Sequence, residues 1–216
     1  MDHPIVHSAD GKTIVARIKE DPSKLEIRET GGAILWTAET PQQEITNYSF
    51  SPDGRSLAVS SVKHGIVVGT ENGMRTVGDV PFLSVFDTST RRQVASRRIL
   101  TEIVPFLKKK WRFATAENYV KNSGSRLEFS NNGQWLAIGF DVAFDDTGEQ
   151  NAQYALLRFP SLDLAGFAQH LAIKLGDFRH VGVTAVMSRL RFSADDRLLF
   201  TTSKYSIAWD VPTEIR

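Results

Sequence analysis

Short segments that alternate apolar and polar residues recur along this chain, and each ends in the same kind of turn. The segments 126–129 and 189–192 read Arg-Leu-Glu-Phe and Arg-Leu-Arg-Phe, the period of two expected of half-buried strands. Four turn motifs share a Ser-x-Asp/Asn-Gly pattern: His-Ser-Ala-Asp-Gly-Lys (7–12), Phe-Ser-Pro-Asp-Gly-Arg (50–55), Phe-Ser-Asn-Asn-Gly-Gln (129–134) and Phe-Ser-Ala-Asp-Asp-Arg (192–197). An apolar run follows each motif. The pattern predicts four β-hairpins, because Gly and Asn tolerate the positive φ that tight hairpin turns require.

Further strands are predicted after each hairpin. A third strand is found in all four units, at 25–27, 83–86, 154–159 and 206–209. A fourth follows a short polar turn in the first three units, at 33–36, 93–96 and 167–169. An antiparallel four-stranded meander repeated along a chain is the pattern of propeller blades. The sequence therefore predicts an all-β fold.

The motif Phe-Ser-Pro-Asp-Gly-Arg-Ser-Leu-Ala at 50–58, its three partners and the strand-ending pairs Phe86-Asp87 and Trp209-Asp210 resemble the WD-repeat β-propeller family. The resemblance covers the chain outside 63–81 and 101–123. It implies a partial β-propeller of about four blades. A family of this kind is expected to act in protein–protein interaction rather than in catalysis.

Two features depart from the family pattern. No Gly-His dipeptide precedes any unit, although His180 stands near the expected place of one. Lys204 occupies the turn before the third strand of the fourth unit, where the family usually has Asp. We therefore expect the side-chain network that braces many WD blades to be missing.

The repeat predicts one domain over 1–216, with three insertions. The blades are placed at about 3–40, 45–100, 124–173 and 186–216, and the insertions at 63–81, 101–123 and 141–153. The first two motif serines, Ser8 and Ser51, are separated by about one WD blade of 40–45 residues. The later spacings are longer and accommodate the insertions.

One short helix is predicted between 99 and 119. Apolar residues recur there at helical spacing beside a basic cluster: Ile99, Leu100, Ile103, Val104, Leu107 and Trp111, with Lys108, Lys109, Lys110 and Arg112. Pro105 interrupts the pattern and shortens the helix. Two interpretations stay open, a helix that covers the propeller and a helix that binds a partner.

The fourth unit has no convincing outer strand before the sequence ends at Arg216. Unpaired sheet edges favour association. We therefore expect that the isolated chain does not close into a monomeric ring of equivalent blades. Its edges would be covered by self-association or by further blades outside this chain.

Composition narrows the function classes. The chain has 216 residues, 41% hydrophobic and 24% charged, and a formal net charge of +1. This balance gives no global attraction to nucleic acid, and no apolar run approaches the ~18 residues of a membrane-spanning helix. The absence of cysteine excludes disulfides and thiolate metal ligands. The N-terminal residues lack the features of a secretory signal, so a cytoplasmic location is expected.

The sequence carries no motif typical of catalysis or of cofactor binding. The sequence contains no Gly-rich phosphate loop, His-Glu-x-x-His pair or nucleophile elbow. The five histidines lack the spacing of metal ligands, and the acidic stretch 141–149 lacks that of a calcium loop. We therefore predict no catalytic, cofactor-binding or metal-binding residues, and no cofactor.

The predicted function is a non-catalytic propeller module or scaffold that presents one end to a protein partner. In an up-and-down blade, the second-to-third-strand loops and the links between blades lie at the same end. The long segments 63–81, 101–123, 141–153 and 174–185 all belong to these two classes. Long loops on a rigid scaffold carry function disproportionately. The predicted contacts are Arg75, Lys108, Lys110, Trp111, Arg112, Asp145 and Asp146.

Two alternatives remain. One is a propeller enzyme of the hydrolase or lactonase type with a site near the central channel, for which Glu44 and Glu128 on innermost strands are the candidate acids. The other is an inactive fragment of a larger WD-like protein.

Overall fold

The computed structural model describes residues 5–18, 20–41, 43–63, 67–70, 73–76, 80–99, 126–143, 150–170, 189–202 and 206–212. Within these ranges the chain is built of antiparallel strands, as predicted. The prediction of an all-β partial propeller is confirmed. The proposed helix at 99–119 lies, apart from Ile99, outside the described residues.

Four sheets follow one another along the chain. The first contains β1 (Val6–His7), β2 (Thr13–Arg17), β3 (Lys24–Glu29) and β4 (Ile34–Glu39). The second contains β5 (Glu44–Phe50), β6 (Ser56–Lys63), β9 (Val80–Asp87) and β10 (Arg92–Arg98), and a separate hairpin of β7 (Val67–Thr70) and β8 (Gly73–Thr76) lies between β6 and β9 in the chain. The third contains β11 (Arg126–Phe129), β12 (Trp135–Ala143), β13 (Gln150–Arg158) and β14 (Asp163–His170). The fourth contains β15 (Arg189–Phe192), β16 (Leu198–Thr202) and β17 (Ser206–Asp210).

Each sheet is a meander whose strands pair in chain order. The first strands of successive sheets are neighbours: β1 contacts β5, and β11 contacts both β5 and β15. This is the arrangement of propeller blades around an axis, with the first strand of each blade innermost. Among the strands that the structure describes, no pairing joins the first sheet to the fourth.

Two predicted insertions contain more strand than expected. The segment 63–81 was predicted as a loop, yet it holds the β7–β8 hairpin. The loop within the predicted insertion 141–153 is shorter than expected, because β12 continues to Ala143 and β13 begins at Gln150. The physical reason is that ladder pairing continues past the body of the sheet, for example between Asp141 and Ala152. Continued pairing satisfies backbone groups that a loop would leave to water.

Apolar clusters between consecutive sheets form the core. Phe50, Phe129 and Phe192 end the first strands of the second, third and fourth sheets, and they are 8%, 7% and 7% exposed. Each shares a cluster with the preceding sheet, Phe50 with Val15, Phe129 with Ala58 and Phe192 with Ala137. The prediction that these three phenylalanines are equivalent residues packed between blades is confirmed.

The substitution Phe129→Ala tests this packing. The Phe129 ring also stands edge-on to Phe159, with ring centroids 5.1 Å apart. Truncation would leave a cavity between the second and third sheets, so we expect a loss of about 3–5 kcal/mol in the free energy of unfolding. Urea denaturation measures this loss. Phe200→Ala is the control, because Phe200 is 38% exposed and its truncation should cost clearly less. A loss below about 1 kcal/mol for Phe129→Ala would contradict the assigned packing.

Candidate functional site

The four motif turns lie at one end of the sheets, together with the turns that join third to fourth strands. We call this the short-turn end. In the second sheet the Ser51 hydroxyl donates to Asp53 Oδ1 at 2.6 Å, and the Arg55 N–H donates to the same oxygen at 3.1 Å. The Ser56 N–H donates to Ser51 Oγ at 2.9 Å. The same three bonds recur in the other turns, around Ser8 and Asp10, Ser130 and Asn132, and Ser193 and Asp195.

These bonds explain why the motif needs a serine followed two residues later by Asp or Asn. The serine hydroxyl and the following N–H groups hold the pKa of Asp10, Asp53 and Asp195 below its usual range, the serine bond being the largest cause. An ionised acceptor strengthens the hydrogen bonds of the turn. The serine and aspartate side chains are therefore bonded to their own turn, and their role is structural.

In the first and second sheets, the turn between the third and fourth strands braces the motif turn. The Thr88 N–H donates to the Arg55 carbonyl oxygen at 2.9 Å, and its hydroxyl donates to the Gly54 carbonyl oxygen at 2.8 Å. Thr30 makes the corresponding bonds to Lys12 and Gly11 in the first sheet. Asp87 accepts bonds from the Thr90 N–H and the Ser89 hydroxyl, each at 2.7 Å, and these bonds lower its pKa to about 2. The short-turn end is thus tied together by local hydrogen bonds.

A clamp joins the third and fourth turns. Asp196 adopts the left-handed conformation, with φ of 57°, at the position that Gly11, Gly54 and Gly133 occupy in the other turns. Its carboxylate accepts the Asn131 N–H, the Asn131 side-chain amide and the Asn132 N–H, all at 2.8 Å. The Asn131 amide also donates to the Ser193 carbonyl oxygen at 2.9 Å. The only sign of this contact in the sequence is Asp-Asp at 195–196 in place of Asp-Gly, and sequence reasoning missed it.

The opposite end carries the long loops and is called the long-loop end. Of the residues predicted to bind a partner, the structure describes Arg75, whose backbone lies in β8 and pairs with Val68. The other six, Lys108, Lys110, Trp111, Arg112, Asp145 and Asp146, lie outside the described residues. The predicted partner surface therefore stays a prediction.

A cleft of about 500 Å³ lies where the innermost strands of the third and fourth sheets meet. Its lining residues are Glu128, Arg189, Leu190, Arg191, Phe200 and Thr202. Burial raises the pKa of Glu128, and the positive charge of Arg191 partly opposes that rise. Glu44, the other acid considered for a channel site, does not line this cleft.

The described ranges contain no group of three or more His, Cys, Asp or Glu side chains placed to hold a metal ion. They also contain no helix long and apolar enough to cross a membrane.

Comparison with known proteins shows the fold. No family model and no curated protein matches the chain. Among solved structures, hydrazine synthase of Kuenenia stuttgartiensis is similar with a TM-score of 0.58 and 13% identity, over 91% of this chain and 48% of that one. TolB from Acinetobacter baumannii is similar with a TM-score of 0.47 and 14% identity, over 92% of this chain and 37% of that one.

The chain thus spans less than half the length of both proteins. Hydrazine synthase has a β-propeller-type fold, and its likeness to this chain supports the same type of fold here.

Replacing Asp53 by Asn tests the charge in the turn. The pKa of Asp53 is lower in the folded chain than in the unfolded chain, so its ionised form stabilises the fold above pH ~4, and this contribution is lost as pH falls through the folded pKa. Asn keeps the acceptor oxygen, as Asn132 does in the third turn. We expect Asp53→Asn to be less stable than the natural chain at pH 7, and we expect the difference to shrink as pH falls through the folded pKa of Asp53. Denaturant unfolding at pH 7 and at a series of lower pH values measures the difference.

The corresponding substitution in the first turn is the matched variant. Asp10→Asn removes a carboxylate whose pKa is lowered by the same kind of serine bond. Its unfolding free energy should change with pH in the same direction as that of Asp53→Asn. A difference between Asp53→Asn and the natural chain that does not change with pH would contradict the role of the ionised form.

The substitution Asp196→Gly tests the clamp. It restores the glycine of the other turns and relieves about 1 kcal/mol of left-handed strain, but it removes three hydrogen bonds to a buried carboxylate. We expect a net loss of about 1–2 kcal/mol in the free energy of unfolding. The loss in the double variant with Asn131→Ala should be smaller than the sum of the two single losses. A more stable Asp196→Gly chain would show that the strain outweighs the clamp.

Proposed function

We propose that this chain is a non-catalytic β-propeller interaction module, of WD-like type, whose long-loop end binds a protein partner. The observation that carries the proposal is the difference between the two ends. Each motif turn at the short-turn end is closed by the same hydrogen bonds, whereas the long connections all leave from the other end. Rigid scaffolds with long loops are the common design of binding proteins.

The residues of the long loops support a protein partner. Lys108, Lys110, Trp111 and Arg112 combine cationic side chains with an aromatic one, and Trp and Arg are enriched among the residues that dominate binding energy at interfaces. Arg75 adds a cation in the neighbouring insertion, and Asp145 and Asp146 add acidic side chains in the next. We propose a surface of mixed charge with Trp111 as its anchor.

The WD-like assignment rests on the motif turns. Four turns with a common Ser-to-Asp/Asn bond, each leading into an apolar strand, are the repeat on which the resemblance depends.

The partners we propose are a protein ligand, a second copy of the chain or further blades outside it. We propose a cytoplasmic location, in keeping with the lack of cysteine.

Glu128 supports a second candidate, a propeller enzyme of the hydrolase or lactonase type. Its carboxyl group has a raised pKa and lines a cleft beside innermost strands, as a general acid near a channel would. Among the described residues, one carboxyl group lines the cleft, because Glu44 does not. We rank this candidate below the interaction module for that reason. An inactive fragment of a larger WD-like protein is the third candidate.

Replacing Lys108, Lys110 and Trp111 together by Ala tests the long-loop end. The partner is first captured from a cell extract with the purified chain, and its affinity for the chain is then measured by surface plasmon resonance. We expect the triple variant to bind at least about tenfold more weakly, since the change removes an anchor aromatic and two cations. Its melting temperature should stay close to that of the natural chain.

The matched control changes two cations at the short-turn end. Arg91 and Arg92 are exposed residues at the turn that leads into β10. Replacing both by Ala should leave the affinity within about twofold. If this pair abolishes binding and the triple variant does not, the partner binds the short-turn end.

A further inference from the structure

The outward face of the fourth sheet differs from the corresponding faces of the first three sheets. The third residue of the second strand is Val15, Ala58 or Ala137 in those sheets, and each is fully buried in a cluster with the next phenylalanine. The equivalent residue of the fourth sheet is Phe200, which is 38% exposed. The fourth sheet thus carries a bulky, partly exposed aromatic side chain at a position where the other sheets carry a smaller, buried residue.

Two arginines stand beside Phe200 on this face. Arg191 pairs in register with Phe200, and Arg189 pairs with Thr202. Residues two apart on a strand lie on the same face, about 7 Å apart. Both arginines are exposed, and neither makes a hydrogen bond or ion pair with any residue in the described ranges. Within the described ranges, two cations thus lie on one face without a hydrogen-bond acceptor, and the Glu128 carboxyl group is the charge that acts on Arg191.

The two arginines line the cleft that also contains Glu128. At about 500 Å³ the cleft falls within the size range of small-molecule sites. The side chains of Leu190 and Phe200 form apolar parts of the cleft wall, and Thr202 contributes a hydroxyl group. Among the described residues that line the cleft, two guanidinium groups and one carboxyl group give a charge that is positive in sum. Its chemistry suits an anion.

We propose that this cleft binds a small anion whose carboxylate or phosphate group is held by Arg189 and Arg191. The planar guanidinium group donates two parallel hydrogen bonds to a carboxylate or phosphate, a geometry that lysine cannot match. Phe200 packs against the rest of the ligand. The Glu128 carboxyl group limits the affinity, because its negative charge repels the anion when it is ionised.

Titration calorimetry at low salt with succinate and with inorganic phosphate tests the proposal on the full chain. We expect saturable binding of at least one probe, and the tighter one identifies the ligand group. Arg189→Gln and Arg191→Gln should each weaken binding at least about tenfold, the loss of one charge-assisted pair. The affinity of Arg191→Lys should lie between that of the natural chain and that of Arg191→Gln. Glu128→Gln should strengthen binding several-fold, because it removes the repelling charge without changing the size of the side chain.

Arg92→Gln is the matched control, since Arg92 is an exposed arginine on β10, outside the cleft. It should leave the affinity for both probes within about twofold. An equal loss in Arg92→Gln would show a non-specific charge effect and overturn the proposal. So would the absence of saturable binding for both probes up to about 10 mM. A dimer seen by sedimentation that Arg191→Gln dissociates would assign the face to a second copy instead.

Discussion

Each sheet of this chain is a single layer, and a single layer cannot bury an apolar face by itself. The structure therefore depends on the contact between one sheet and the next. That contact is made by a phenylalanine at the end of an innermost strand and a small residue on the preceding sheet, as with Phe129 and Ala58. The hairpin turn immediately after the phenylalanine fixes where the strand ends. It thereby sets how deep the ring reaches between the sheets.

This dependence explains which features could be predicted from sequence. The hairpins are local: Asp53 and Gly54 specify their own turn, and the flanking alternation specifies the strands. The inter-blade position of Phe50, Phe129 and Phe192 followed from their equivalence in the repeat. Contacts between different repeats could not be predicted from the sequence. The bonds from Asn131 to Asp196 join residues far apart in the chain, and no periodicity marks them.

The insertions show the same limit. The ladder of β12 and β13 extends beyond the body of the sheet because opposing backbones continue to pair, and pairing of this kind leaves no strict alternation in the sequence. The Glu128 cleft depends on two strands from different sheets and on the exposed side of Phe200. Sequence reasoning identified Glu128 as a channel candidate, but it did not associate it with Arg189 and Arg191. Residues from separate repeats meet in space only once the packing of the sheets is known.

The clamp at Asp196 has a consequence for how the repeats find their places during folding. Blades built from near-copies of one motif can pack in the wrong order, a known hazard of repeat proteins. Of the three bonds that Asp196 accepts, two come from backbone N–H groups and one from the Asn131 side-chain amide. The other turns have Ala9, Pro52 and Ala194 at the position of Asn131. Neither alanine nor proline carries a side-chain amide, and proline also lacks the backbone N–H. The side-chain bond from Asn131 to Asp196 therefore favours packing of the fourth blade against the third over packing against the other blades.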